Sequence, residues 1–364
     1  MPQRHPVTLF ALATLAPLPL LGLGAWLGGA WTLLPLAYMT VLAALLDRLA
    51  MPAAPDAPAQ AEFPAADRLS VALALGHFAA LALGIAAVAG ATGLSGWERA
   101  ALFAGFGLFL GQIGNANAHE LIHRPGRGLR WLGTLVYVSL LFGHHASAHP
   151  QVHHRFVATP DDPNTARSGT SFYRFAIRAW TGSFRAGLRL ESRRLARRGL
   201  PAWRHPYVAY VAGAVAMLAL SAVSLGLPGL LAHLGLAGYA TAQLLLSDYV
   251  QHYGLRRARL PDGRYAPVAP CHSWNAPHWF SGALLLNAPR HSDHHAHPSR
   301  KYPALRLPPE TTAPTLPYGL PVMACIALIP PLWRRLMDPR AARWRQDAAD
   351  NATVAGKAGA ALAE

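Results

Sequence analysis

Six stretches of this chain are long and apolar enough to cross a lipid bilayer, at roughly 7–29, 31–46, 69–92, 99–118, 206–225 and 229–251. Crossing the hydrocarbon takes about 20 mainly apolar residues. There each backbone N–H and C=O must find a partner within its own segment, so such stretches fold as helices. The expectation is an all-α membrane protein with six transmembrane helices. The first two stretches meet at Gly29-Ala30 and form a hairpin. Composition points the same way: 52% of the residues are hydrophobic and 13% charged, where a soluble domain carries about a quarter charged. No small-residue cleavage site stands out after the first apolar run, so a signal peptide is not expected. Residues 50–66, "AMPAAPDAPAQAEFPAA", read as an Ala/Pro linker. A further apolar stretch, 316–332, is broken by Pro317, Pro321, Pro330 and Pro331 and reads as a buried or interfacial segment. Residues 1–340 form one membrane domain in this reading, followed by a disordered tail at 341–364.

The net charge of +15 comes almost entirely from arginine; lysine occurs only at 301 and 357. The segment 124–205 carries fourteen Arg against Asp161, Asp162 and Glu191, while the loops at 93–98 and 226–228 carry no Arg or Lys. Positive charge marks the cytoplasmic side. Six spans with both termini cytoplasmic put every Arg-rich segment there, where it also meets anionic lipid headgroups. No nucleic-acid partner is expected. The two cysteines, Cys271 and Cys325, are too few for an iron–sulfur or rubredoxin-type centre or a disulfide framework.

Histidine carries the chemistry. Fourteen of the eighteen fall in two windows, 119–154 and 252–297, at or beyond the cytoplasmic ends of predicted spans. His77 and His233, isolated inside spans, read as packed residues. Burying so many imidazoles without partners would cost several kcal/mol. Their spacing is that of ligands. His119 and His123 are i and i+4 on one helix face. His149, His153 and His154 form H-x-x-x-H-H, with two rings on one face and the third turned by one residue. His291, His294 and His295 form H-x-x-H-H, and His252 ends the last span. One zinc takes three or four ligands, so nine histidines suit two ions with open positions. Nitrogen donors favour Fe, Zn, Cu or Ni over Mg or Ca.

The stretch "HELIH" at 119–123 also matches the H-E-x-x-H pattern of zinc metalloproteases, with Glu120 as general base. That reading leaves seven clustered histidines unexplained. A transporter or metal store would place its histidines near the bilayer midplane rather than at helix ends.

The stretches "HELIHR", "HPQVHHRFVATPDDPNTARSGTSFYRF", "DYVQHYGLRR", "HSWN" and "RHSDHHAHPSRKYPALR" resemble the integral-membrane alkane 1-monooxygenases, within the fatty-acid desaturase and hydroxylase superfamily. The "HYGL" element and the "HSDHHAHP" box separate this branch from ordinary acyl desaturases. The resemblance implies a cytoplasmic His-rich di-iron region. Its two non-haem irons would be held by His119, His123, His149, His153, His154, His252, His291, His294 and His295. It further implies terminal hydroxylation of n-alkanes to primary alcohols with O2 and two electrons, delivered by rubredoxin and an NADH-dependent rubredoxin reductase. Glu120, Asp161, Asp162, Asp293 and His297 are candidates for groups just outside the ligand set; replacing Asp293 by Ala is then expected to lower iron occupancy or turnover. Two positions depart from the family pattern: Ala148 and Gln251 stand where glutamate is usual. Xylene monooxygenases share much of the pattern, which leaves alkyl-aromatic methyl groups as a second substrate class, with acyl-lipid desaturation or hydroxylation as a third. The implied location is the bacterial inner membrane. An apolar substrate would arrive through the bilayer, and Leu33, Leu34, Leu36, Ala37, Tyr38 and Leu42 are candidates for lining its path.

Overall fold

A computed structural model describes residues 7–49, 56–58 and 61–361. No strand occurs among them, only two isolated bridges. Of the Ala/Pro linker expected at 50–66, residues 50–55, 59 and 60 lie outside the described residues, as do the first six residues and the last three, and helix begins at Pro64 within it.

The first apolar stretch forms α1 (Thr8–Leu27) and the second α2 (Gly29–Leu49), with Gly28 between them at φ 65°, ψ −157°. That backbone region is essentially restricted to glycine. Next come α3 (Pro64–Ala89) and α4, residues 96–122. Helix α4 is not regular: a π-helical turn, Phe109–Gly114, separates Gly96–Leu108 from Asn115–Ile122. Its first turn is a capping box in which Ser95 and Glu98 satisfy one another's backbone N–H groups. Glu98 also accepts from the Gly29 N–H and so ties the α1–α2 turn to the start of α4. Arg99 caps the other side of the turn region, donating to Val88 O at 2.9 and 2.6 Å, where α3 ends in left-handed Gly90.

Helices α5 (Arg127–Ser139), α6 (145–156) and α7 (Phe172–Arg197) follow. The buried residues of α7, Phe172, Phe175, Ala179, Ser183, Gly187 and Glu191, recur every three or four positions, so one stripe packs and the Arg-rich remainder faces out. The span α8 (Pro206–His252) is two helical arms joined across a kink at Gly226, which has φ 64° and ψ −157°. Twelve residues of straight helix would put Ser221 about 18 Å from His233. Instead Ser221 Oγ lies 2.8 Å from His233 Nδ1, so the chain folds back at Gly226-Leu227-Pro228 into two arms. His233 also meets Ser139 O, and His77 meets Ser139 Oγ, so both are packed, partnered residues as expected.

By length and hydropathy, α1, α2, α3 and α8 are the described helices able to cross a membrane. The fourth apolar stretch lies in α4, broken by its π turn. The short helices α9 (Trp279–Leu284), α10 (His291–Ala296) and α11 (Leu320–Ala327) precede α12 (Pro330–Ala361). The Pro-broken segment buries Leu316, Leu320, Met323 and Ala327. Helix α12 carries the backbone on as helix through most of the segment that the sequence suggests is a disordered tail.

Candidate metal centre

Four segments converge: the end of α4, α6, the last residue of α8, and α10. They bring together all nine histidines singled out from the sequence and divide them in two. His119, His123, His149, His154 and His294 form one group; His153, His252, His291 and His295 form the other. Within each group one ring nitrogen from every histidine lies within 4.8 Å of those of the others. The groups abut, with the His154 ring 4.5 Å from that of His295.

The division turns on α6. Plain α-helical spacing pairs His149 with His153. Residues His149–His153 instead form a π-helical turn, closed by the His154 N–H bonding to His149 O. A π turn puts i and i+5 on one face. His149 and His154 therefore face one group, with Nε2 atoms 3.0 Å apart, and His153 faces the other. Pro150, which has no N–H to give an α-helical bond, sits second in that turn. Helix α10 is ordinary α: His291 and His295, four apart, share one group, and His294 turns to the other.

The residues fit metal ions. Nε2 to Nε2 separations are 2.8 Å for His119 and His149, 3.1 Å for His154 and His294, 2.9 Å for His252 and His291, and 3.2 Å for His291 and His295. Nitrogens about 2.1 Å from a shared ion and at right angles about it lie about 3 Å apart. His123 Nε2 and His153 Nε2 are buried with no hydrogen-bond partner, as donors awaiting an ion would be.

The electrostatics suit neutral ligands. Burial, followed by the neighbouring imidazoles, holds His149, His154, His291, His294 and His295 well below the ordinary histidine value. Burial takes His123 to about 3. His153 is the exception. Burial pulls it down, but the Asp162 carboxylate, 2.8 Å from Nδ1, outweighs that and raises it. A carboxylate on the far nitrogen fixes the tautomer and leaves Nε2 for the metal. Asp162 is itself held by Thr165 Oγ1 at 2.7 Å and by the Asn164 N–H at 3.0 Å.

The other outer candidates are engaged elsewhere. Glu120 accepts from the Tyr302 N–H and pairs with Arg124, bolting α4 to the loop after α10. Asp161 is exposed. Asp293 takes both oxygens to Arg300 and also holds the Arg306 N–H and His297 Nδ1. Gln251, at one departure from the family pattern, donates to Ala288 O and accepts from Ser247 Oγ. Beside Ala148, at the other, Glu191 of α7 brings a buried carboxylate that accepts from Ser147 Oγ and Gln151 Nε2.

A cavity of about 110 Å³ opens onto both groups, at His119, His149 and His291. Its walls come from α4 and α8, and from Leu320, Pro321 and Ala324 of α11. None of the six α2 residues suggested for a substrate path lines it. Leu33, Leu34 and Leu42 are exposed, and the Tyr38 hydroxyl reaches Leu12 O and Ala13 O instead. Sequence reasoning missed three residues here. His145 packs 4.8 Å from the His149 ring and lines the cavity; its spacing of four before His149 was the available signal. Asp248, one turn before His252, lines the cavity and accepts from Asn164 Nδ2 at 2.6 Å, again at a legible i, i+4 spacing. Gln112 lines the cavity with its buried Oε1 unpartnered, and nothing local in the sequence marks it.

Comparison with known proteins agrees with this centre. The fatty acid desaturase family model matches residues 95–326. An alkane 1-monooxygenase of Pseudomonas putida is 38% identical over 275 residues, 74% of this chain and 66% of that protein. Alkane 1-monooxygenase 1 of Alcanivorax borkumensis is 40% identical over 233 residues, 62% of this chain and 56% of that protein. The hydroxylase component of the xylene/toluene monooxygenase of Pseudomonas putida is 31% identical over 240 residues, 63% of this chain and 61% of that protein. The matched part of this chain thus spans somewhat under two thirds of these relatives. With its histidine-lined centre and a family match over more than half its length, the chain belongs to the fatty acid desaturase family.

Proposed function

We propose that this protein is a non-haem di-iron monooxygenase that hydroxylates the terminal carbon of n-alkanes to primary alcohols. The observation that carries this reading is the sorting of nine buried or half-buried histidines into adjoining groups of five and four, with one cavity opening onto both. Two bound irons would supply the O2 activation and C–H cleavage that no side chain can perform. His119, His123, His149, His154 and His294 would hold one, and His153, His252, His291 and His295 the other. The protein's own work is placement. Neutral imidazoles present nitrogen lone pairs, Asp162 fixes the tautomer of His153, and the cavity excludes water while setting how far a chain reaches toward the histidines. Similarity at 38 and 40% to alkane enzymes, against 31% to a xylene/toluene enzyme, favours alkanes over alkyl-aromatics.

In this reading the chain spans the inner membrane six times: α1, α2, α3, α4 and the two arms of α8. The histidines and both termini face the cytoplasm, and electrons come from a separate rubredoxin and its NADH-dependent reductase. Rubredoxins are generally acidic, so the arginine-rich face would steer docking, and turnover at limiting carrier should fall as salt rises. The direct test is whole-cell conversion of octane, hexadecane and xylene with co-expressed rubredoxin and reductase, alongside metal analysis. Primary alcohols and about two irons per chain are expected. Benzylic alcohol alone moves the assignment to the aromatic branch; no oxygenated product from an iron-loaded protein sinks both.

A further inference from the structure

A second cavity, of about 590 Å³, lies between α5, the outer side of α6, the end of α7 and the start of α8, and no histidine lines it. Arg127, Arg130, Arg194, Arg198 and Arg204 line it. Against these five guanidinium groups stands one carboxylate, Glu191, which already accepts from Ser147 and Gln151 and lies 3.9 Å from Arg194. The other four arginines have no carboxylate partner among the described residues; Arg204 rests over the Trp203 ring, 5.0 Å from its centroid. Like charges gathered around a cavity without counter-charge repel one another, and an anion with several acceptor oxygens relieves this.

The cavity's rim shows which anion. Its α5 wall includes Trp131, which is exposed, as is Leu135 one turn on. Its α8 wall begins at Pro206 and Tyr210. Guanidinium groups, the exposed Trp131 ring and the exposed Leu135 beyond it on the same flank of α5 follow one another in the order of a phospholipid's headgroup, glycerol and acyl chains. We propose that one anionic phospholipid seats its phosphate among the five arginines and lays its acyl chains past Trp131 and Leu135 of α5. This rests on the membrane-spanning reading above.

The test uses the full chain, purified and delipidated in a zwitterionic detergent. Native mass spectrometry follows titration with phosphatidylglycerol or with phosphatidylcholine of the same acyl chains. The unaltered protein should retain one phosphatidylglycerol in preference to phosphatidylcholine. Arg127→Gln and Arg198→Gln should each weaken retention about fivefold and together about thirtyfold. Arg185→Gln with Arg189→Gln, exposed on α7 outside the cavity, should stay within about twofold. Both target side chains are exposed, and the single variants answer the question if the double variant fails to fold. Equal loss in target and control variants overturns the site in favour of diffuse charge, and no loss in either overturns it outright. Full displacement by millimolar inorganic phosphate assigns the site to free phosphate instead. A raised KM for the electron carrier with unchanged lipid retention assigns it to carrier docking. Release of the chain from membranes by alkaline wash would sink the membrane reading itself, whereas a retained chain without lipid preference sinks only this site.

Discussion

His153 has one nitrogen engaged before any metal is considered. Its Nδ1 faces Asp162 Oδ2 at 2.8 Å, and its buried Nε2 has no partner. Asp162→Asn keeps the size and removes the charge. Groups that orient ligand histidines typically contribute 10–100-fold in metal affinity. The variant should therefore lose metal from the four-histidine group, and atomic-emission analysis after dialysis should fall from near two ions per chain toward one. Two tightly held ions would refute the role. Asp293 provides the contrast. It holds Arg300, Arg306 and His297 and touches no cluster histidine. Asp293 is only partly buried, so Asp293→Asn should lower stability by about 1 kcal/mol, with metal affinity changed far less than in Asp162→Asn. The sequence offered Asp161, Asp162 and Asp293 on equal terms. Adjacent residues in a turn point in different directions, so charge and proximity along the chain could not rank them.

At the scale of elements, the π turn in α6 sorts the histidines. The H-x-x-x-H-H spacing was legible, but the sequence reads it on an α-helix, where His149 would pair with His153. One residue more per turn reverses the pairing, and the only local cue is Pro150 inside the box. Deleting Gln151 converts the box to the H-x-x-H-H spacing of α10, in which His149 and His154, four apart, still share a face and His153 turns to the other group. Metal content should then stay near two ions per chain, with the far-ultraviolet helix signal kept. Loss of either ion would show that the π turn itself, and not only the faces it assigns, is required. The two hairpin glycines allow a second comparison. Gly28 and Gly226 share φ near 65° and ψ −157°, so alanine at either meets backbone strain of about 1–3 kcal/mol. A Cβ on Gly28 would also lie 2.6 Å from Glu98 Oε1, displacing the carboxylate that ties this turn to α4; on Gly226 it meets only Pro228 Cδ at 3.7 Å. Gly28→Ala should therefore lower the midpoint of thermal unfolding more than Gly226→Ala, and the reverse order would count against this account.

Over the whole molecule, hydropathy located the apolar helices because a bilayer demands length and apolarity, both written locally. The cavity was not legible in the same way. Its walls combine α4, α8 and the Pro-broken α11, segments up to about two hundred residues apart, and no local pattern records which faces meet. The histidines were legible because ligand spacing within each helix is local, even though their grouping is not. The centre also serves the fold, since residues 119, 149, 252 and 291 come from four separate segments. Bound ions would cross-link those segments, and their removal would leave nine imidazoles in or beside the interior without ligand partners. At free metal a hundredfold above Kd, one site contributes about 2.7 kcal/mol to stability. Stripping both ions with a strong chelator should then lower the unfolding midpoint by on the order of 10 °C. Adding back ferrous iron anaerobically should restore it. In Asp162→Asn, half of the chelator effect should already be present before chelation. A midpoint indifferent to chelator would mean that packing alone holds α4, α6, α8 and α10 together.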